Sequence, residues 1–199
     1  AGMYWAVAES IPVHENIKTR SGNYKILIEN YKTSLRNLGS SGINTVCYNF
    51  MPVLDATRTD FYYVLDDRST ALVFNKIALA AFELFLLKRP GAEKDYTIQE
   101  KHRAEVLFKK LSLSQKDNLS HTVDDGFPGI GADYTLAQFQ SVLDTYKEID
   151  ASDLRSNLIA FLKEIVPVAE EAGIRMAIHP DDPPFPVLGL PRIVSTEAD

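Results

Sequence analysis

The sequence predicts an α/β protein, specifically a partial (β/α)8 barrel with a long helical insertion. Three observations predict it. A pattern of glycine, apolar run, polar residue and proline occurs three times, with the proline ten residues after the glycine each time: Gly2 to Pro12, Gly42 to Pro52 and Gly173 to Pro183. Long amphipathic helical patterns precede the second and third copies, so the copies read as successive βα units. A closed barrel of this kind needs about 250 residues, and the chain has 199. On that arithmetic the chain reads as a fragment of a barrel. We take residues 1–199 as a single partial barrel domain, with 55–150 as a helical insertion within it.

In order, the first apolar run is Met3–Ala8, leading to Glu9, Ser10 and Pro12. Tyr24, Leu27, Ile28, Tyr31, Leu35 and Leu38 then fall on one helical face. Gly39 or Gly42 ends that helix, glycine being the residue that adopts a left-handed cap without strain. Ile43–Tyr48 is the second strand, expected to be covered on both faces like its siblings, and Asn49 and Pro52 follow it. Roughly a hundred residues without this pattern come next. Ala71–Leu87 is apolar almost all round and reads as a buried or interface helix. Thr97-x-x-Glu100 and Thr135-x-x-Gln138 each have capping-box spacing and open further helices. Asp124–Gly131 is a turn-rich break between them. The insertion can serve as a lid or as a subunit interface. Ser152 or Asp153 caps a last helix running to about Ala172, which Pro167 is expected to kink or break. Gly173 then leads into the strand that ends at His179.

Composition narrows the function. The net charge is −6 and no Lys/Arg run suggests a phosphate-tracking surface, so nucleic acid is excluded as a partner. The most apolar stretch carries Asn75, Lys76 and Glu83, which argues against a membrane span. One cysteine, Cys47, rules out an internal disulfide. It fits a reducing, cytoplasmic setting.

In a barrel of parallel strands the active site forms at the carboxyl ends of the strands. That rule selects Glu9, Ser10 and His14 after the first strand; Tyr48, Asn49, Asp55, Arg58 and Asp60 after the second; and His179, Asp181 and Asp182 after the third. Glu9 and Asn49 either line a pocket or satisfy backbone groups at strand ends. Arg58 either holds a carboxylate or hydroxyl, or is a solvated loop arginine paired with Asp55 or Asp60. Tyr48 and Asn49 are adjacent, so only one can face the barrel axis. Cys47 reads as buried and inert, and His102 and His121 as solvated. His179 is a candidate ligand, but a catalytic metal usually has three or more protein donors. Asp181 and Asp182 are too close in sequence to His179 to ensure convergence on one ion.

Several strings then carry a resemblance: Ala8-Glu-Ser-Ile-Pro-Val-His-Glu15, Val46-Cys-Tyr-Asn-Phe-Met-Pro-Val53, Leu87-Lys-Arg-Pro-Gly-Ala-Glu93, Asp133-Tyr-Thr-Leu-Ala-Gln-Phe139, Met176-Ala-Ile-His-Pro-Asp-Asp-Pro-Pro184 and Gly189-Leu-Pro-Arg192. In order and over essentially the whole chain, they resemble the mannonate dehydratase family. The resemblance implies a xylose-isomerase-like barrel. It also implies a hydro-lyase that dehydrates D-mannonate to 2-keto-3-deoxy-D-gluconate in hexuronate catabolism, with Mn²⁺ or Fe²⁺; a cytoplasmic setting and a homo-oligomer are expected from the single cysteine and the open sheet edges. The family surrounds its metal with two histidines, a cysteine and an aspartate. Only His179 matches one of these, and Cys47 stands in a different strand from the family's ligand. Substrate binding is assigned to Glu9, Asn49 and Arg58, metal binding to His179. The catalytic acid and base are expected in a C-terminal half that this chain lacks. Ala56 replaces the family's usual tryptophan before Thr57-Arg58-Thr59 and alters a pocket wall. The expectations are that the chain alone has no dehydratase activity and that its open sheet edges drive association. The alternatives are another metal-dependent, sugar-isomerase-like barrel enzyme and a non-catalytic assembly module.

Overall fold

The computed structural model describes residues 2–124 and 135–199. Most of the turn-rich stretch read at 124–131, and the beginning of the string starting at Asp133, lie outside the described residues. The elements run β1 (Val7–Glu9), α1 (Glu15–Lys18), α2 (Tyr24–Ser40), β2 (Thr45–Tyr48), β3 (Asp60–Val64), β4 (Thr70–Val73), α3 (Lys76–Ala81), α4 (Ile98–Lys110), α5 (Leu113–Asp124), α6 (Leu136–Leu143), α7 (Ala151–Glu171) and β5 (Arg175–Ile178). They gather into two compact units. One contains Ala1–Pro52, Tyr146–Phe185 and Pro191–Asp199, and the other Val53–Thr145 with Pro186–Leu190.

The first unit is a parallel sheet in the order β1-β2-β5, with helices on one face. Glu9 pairs with Cys47 and Cys47 with Ala177, while Tyr48 pairs with Ile178. Side chains alternate across the pleat, and here the alternation is visible in burial. Ala8, Val46 and Tyr48 are buried, whereas Glu9 and Ala177 are exposed and Cys47 is half-exposed. The strands are therefore covered on one face, not on both as their apolar runs suggested.

The covered face meets the stripes of α2 (Ile28, Tyr31, Leu35) and α7 (Leu154, Leu158, Phe161, Ile165, Val168, Ala169). Asp150, not Ser152 or Asp153, caps α7: its carboxylate accepts from the Ser152 and Asp153 amides at 2.7 and 2.9 Å. The helix continues through Pro167 as one element, because the stripe that flanks it, Ile165 and Val168–Ala169, is buried and outweighs the lost hydrogen bond. Gly42 and Gly173 take positive φ (82° and 68°) at the turns from helix into strand, as predicted for cap glycines.

Gly39 has a different job. A Cβ there would lie 2.4 Å from the Ala172 carbonyl oxygen at the end of α7. Gly39→Ala is expected to destabilise the unit by about 1–3 kcal/mol, the usual cost of overpacking against backbone, measured by urea denaturation.

The second unit begins with a hairpin that the sequence pattern did not reveal. β3 and β4 pair antiparallel, with a register shift between Asp60 and Tyr63. Tyr62, Tyr63, Val64 and Leu65 are exposed at successive positions, so β3 has no half-buried alternation to read, and that of β4 spans only Thr70–Val73. Consequently the helix expected from Ala71 begins only at Lys76. Asn75 caps it, its side-chain oxygen accepting from the Ile77 and Ala78 amides. It continues as a π-helical segment over Phe82–Leu87. Both predicted capping boxes form, at Thr97/Glu100 and Thr135/Gln138. The core joins Ala80, Ala81, Tyr96 and Ala104 with Phe85 stacked on Phe108 at 5.1 Å. Among the described residues, no helix is long and apolar enough to cross a membrane.

Candidate functional site

The exposed face of the sheet carries the chemistry. Pairing puts Glu9, Cys47 and Ala177 in one row across β1, β2 and β5. The same alternation, carried one residue past β2 and β5, brings Asn49 and His179 side by side one step further on. The ladder itself extends there, since the His179 amide donates to the Tyr48 carbonyl at 2.7 Å. Glu9 thus lies two residues short of the Asn49–His179 row.

Tyr48 and Asn49 separate as the pleat requires. Tyr48 is buried on the helix side, its ring edge-on to Phe161 at 6.3 Å, and burial followed by Cys47 pushes its hydroxyl up to about 12. Asn49 therefore takes the open side. Its side-chain oxygen is buried and, among the described residues, has no hydrogen-bond partner. Buried acceptors are rarely left so.

His179 Nδ1 lies 2.7 Å from the Pro180 carbonyl oxygen. A carbonyl only accepts, so Nδ1 is the donor in this contact, and in a neutral ring that leaves Nε2 as the nitrogen with the lone pair. That arrangement is typical of histidines that ligate metals, where the second nitrogen is held by a backbone carbonyl.

Asp181 is turned inward. Its carboxylate accepts from the Val194 amide at 2.7 Å and the Ser195 hydroxyl at 2.9 Å, while its own amide donates to the Val194 carbonyl. It latches the loop after β5 and is not a companion ligand. Asp182 uses its amide on the Met51 sulfur at 3.2 Å. His14 caps α1, its Nδ1 accepting from the Asn16 amide. Asp60 accepts from the Tyr62 amide within β3. Arg58 belongs to the second unit, where its guanidinium donates to the Thr57 carbonyl at 2.9 Å. His102 and His121 are exposed.

Cys47 is the residue the sequence reading misplaced. It is half-exposed on the open face, in register with Glu9. Burial first, then the Glu9 charge, pushes its thiol up from the usual value. Removing that charge stabilises the thiolate. Glu9→Gln is therefore expected to shift the pH profile of Cys47 alkylation to lower pH. An unchanged profile would contradict the Glu9–Cys47 pairing.

Among the described residues, no three His, Cys, Asp or Glu side chains gather closely enough to hold an ion. His179 is suited to be one ligand, but the donors present do not make up a metal site. What remains is a carboxylate, an amide oxygen and an imidazole at the carboxyl ends of neighbouring parallel strands, a set suited to a small polyhydroxylated ligand.

Fold and site define a class: an α/β protein with polar groups presented where its parallel strands end. More particularly, the chain belongs to the D-mannonate dehydratase (UxuA) family, which it matches over residues 1–199. It is 54% identical over 195 residues to a mannonate dehydratase of Marinomonas sp. (strain MWYL1), covering 98% of this chain and 50% of that protein. It is 53% identical over 199 residues to one from Chromohalobacter salexigens, covering 100% of this chain and 51% of the relative. The crystal structure of mannonate dehydratase from Streptococcus suis serotype 2 superimposes with a TM-score of 0.67 at 38% identity, covering 99% of this chain and 42% of the other. The chain thus spans about half the length of the curated relatives it matches.

Proposed function

We propose that this chain supplies part of the active site of a mannonate dehydratase, which removes water from D-mannonate to give 2-keto-3-deoxy-D-gluconate. Chemically this is loss of the proton on the carbon beside the carboxylate and departure of the neighbouring hydroxyl, and the resulting enol becomes the ketone. The observation that carries the reading is the unpartnered, buried Asn49 oxygen beside His179 on the open face of the sheet, read with the relatives' names.

In this reading the three strands belong to a (β/α)8 barrel whose lumen is the open face, and residues 55–150 are an insertion in it. Asn49 accepts a substrate hydroxyl. Glu9 binds a second hydroxyl through its carboxylate. Arg58 is proposed separately, as a carboxylate-binding group of the second unit. His179 offers Nε2 to Mn²⁺ or Fe²⁺, with the other donors and the acid and base drawn from polypeptide beyond these 199 residues. The setting is cytoplasmic and the assembly a homo-oligomer.

The test is an assay of the natural polypeptide carrying this sequence. It should form the 2-keto-3-deoxy acid from D-mannonate and leave aldoses unchanged. Asn49→Ala should lower kcat/KM by about tenfold, the weight of one lost hydrogen bond to a buried acceptor. The 199-residue chain alone should show no turnover. Aldose isomerisation without dehydration, or robust turnover by the chain alone, would overturn the reading.

A further inference from the structure

One cluster of charged groups in the first unit is unused by this chemistry. Lys18, the last residue of α1, is 2% exposed. Its ammonium donates to Glu15 Oε1 and to the Met51 carbonyl, each at 2.6 Å. Glu15 Oε2 in turn accepts from the Tyr146 hydroxyl at 2.5 Å. The Lys18 carbonyl accepts from Asn157 Nδ2 at 2.9 Å, which fixes the end of α1 against α7.

A buried ammonium costs several kcal/mol unless it is paired and fully hydrogen-bonded, and an apolar side chain would fill the same space at lower cost. What the charge adds is direction. It grips one main-chain carbonyl in the segment leaving β2, two residues beyond Asn49. The same Met51 receives the Asp182 amide on its sulfur, three residues beyond His179. One cation therefore reaches the exits of both β2 and β5.

We propose that Lys18 is a positioning residue, and that its buried ammonium holds the Asn49–Met51 segment so that the Asn49 side chain is presented correctly at the open face. It touches no substrate and acts through Met51. The kinetic consequence rests on the dehydratase reading. The conformational consequence does not.

The experiment uses the natural polypeptide carrying this sequence, as wild type, Lys18→Met, Lys18→Arg, Asn49→Ala and the Lys18→Met/Asn49→Ala pair. A Glu15→Gln/Lys18→Met variant is added, because it leaves no uncompensated carboxylate if Lys18→Met alone fails to fold. Two quantities are read per folded molecule: kcat/KM for D-mannonate, and the nitrogen–proton resonances of the Asn49 side chain and the Asp182 backbone.

Lys18→Met and the Glu15→Gln/Lys18→Met pair should each lower kcat/KM by up to about tenfold, the loss expected for Asn49→Ala itself, and shift both resonances. Lys18→Arg should recover most of the loss and return the resonances. Because Lys18 acts through Asn49, removing both should cost no more than the larger single loss. Strictly additive losses, or resonances that stay in place in the folded Glu15→Gln pair, would overturn the proposal. If the wild type does not dehydrate D-mannonate, the dehydratase reading fails. The positioning claim is then decided by the resonances alone: displaced in Lys18→Met and restored in Lys18→Arg, it stands; unmoved, it falls.

Discussion

Arg89→Ala is expected to destabilise the second unit by about 3–5 kcal/mol, the usual cost of stranding one member of a buried ion pair. Glu83 is 1% exposed within the π-helical segment, and the Arg89 Nε lies 2.5 Å from its Oε2. The other carboxylate oxygen accepts from the Tyr96 hydroxyl at 2.5 Å and from the Leu188 amide at 3.3 Å. Burial, followed by the adjacent Glu83 charge, holds the Tyr96 hydroxyl well above its ordinary range. Arg89 also pairs with Asp95.

Beside this pair sits a tight turn closed by the Leu190 amide on the Val187 carbonyl at 2.8 Å. Leu188 and Gly189 both take positive φ there, 57° and 72°, as a type I′ turn requires. A Cβ on Gly189 would lie 2.8 Å from Arg89 Nη1, so the glycine lets the guanidinium lie against the turn. Without the arginine, the buried Glu83 carboxylate is left with two neutral donors, the Tyr96 hydroxyl and the Leu188 amide. Adding Glu83→Gln to Arg89→Ala removes the stranded charge while keeping acceptors for Tyr96 and Leu188, so the double variant should be more stable than Arg89→Ala alone. Chemical denaturation reads both. An Arg89→Ala protein within about 0.5 kcal/mol of wild type would show that the pair contributes nothing net.

Phe161→Ala is expected to cost the first unit a similar 3–5 kcal/mol or so, the range for removing a large buried ring. The ring is 1% exposed. It meets Tyr31 edge-on at 5.1 Å, Tyr48 at 6.3 Å and Phe50 at 5.8 Å. Tyr31 comes from α2, while Tyr48 and Phe50 flank Asn49 at the exit of β2. One side chain on α7 therefore ties both helices to the strand whose end carries the site. Its loss opens a cavity against Tyr48 and Phe50, the two neighbours of Asn49, so substrate affinity should weaken along with stability. Unchanged stability would mean that the three remaining rings close over the gap.

How much of this was legible in the sequence depends on how local each signal is. The stripe from Tyr24 to Leu38, the boxes at Thr97/Glu100 and Thr135/Gln138, and the glycine turns at Gly42 and Gly173 all rest on neighbours within one or two turns, and each forms. The β3–β4 hairpin left no such trace, since neither face of its Tyr62–Leu65 segment is buried. Its only hints were aromatic and β-branched residues followed by the Asp66-Asp-Arg-Ser69 turn. Cys47 was recoverable. The alternation that sets Tyr48 against Asn49 also puts Cys47 on the side of Asn49, and the expectation of doubly covered strands hid it. Glu83, Arg89, Tyr96 and Leu188 meet only through folding, as do Lys18, Met51 and Tyr146. No spacing in one sequence announces such sets. The candidate site was legible to the extent that it sits where strands end: Glu9 lies on the open face, and the pleat carried past Tyr48 and Ile178 puts Asn49 and His179 on the same side. Asp181, drawn from the same rule, proves to be a loop latch.

The claim at the centre of this account is that the Asn49–His179 row forms part of the dehydratase active site. The most direct measurement is kcat/KM for D-mannonate with His179→Ala in the natural polypeptide, beside the wild type. With His179 as the ligand proposed above, the account predicts a loss of at least about a hundredfold, since even the groups that orient such a histidine are worth 10–100-fold. A His179→Ala enzyme within about threefold of wild type would contradict it.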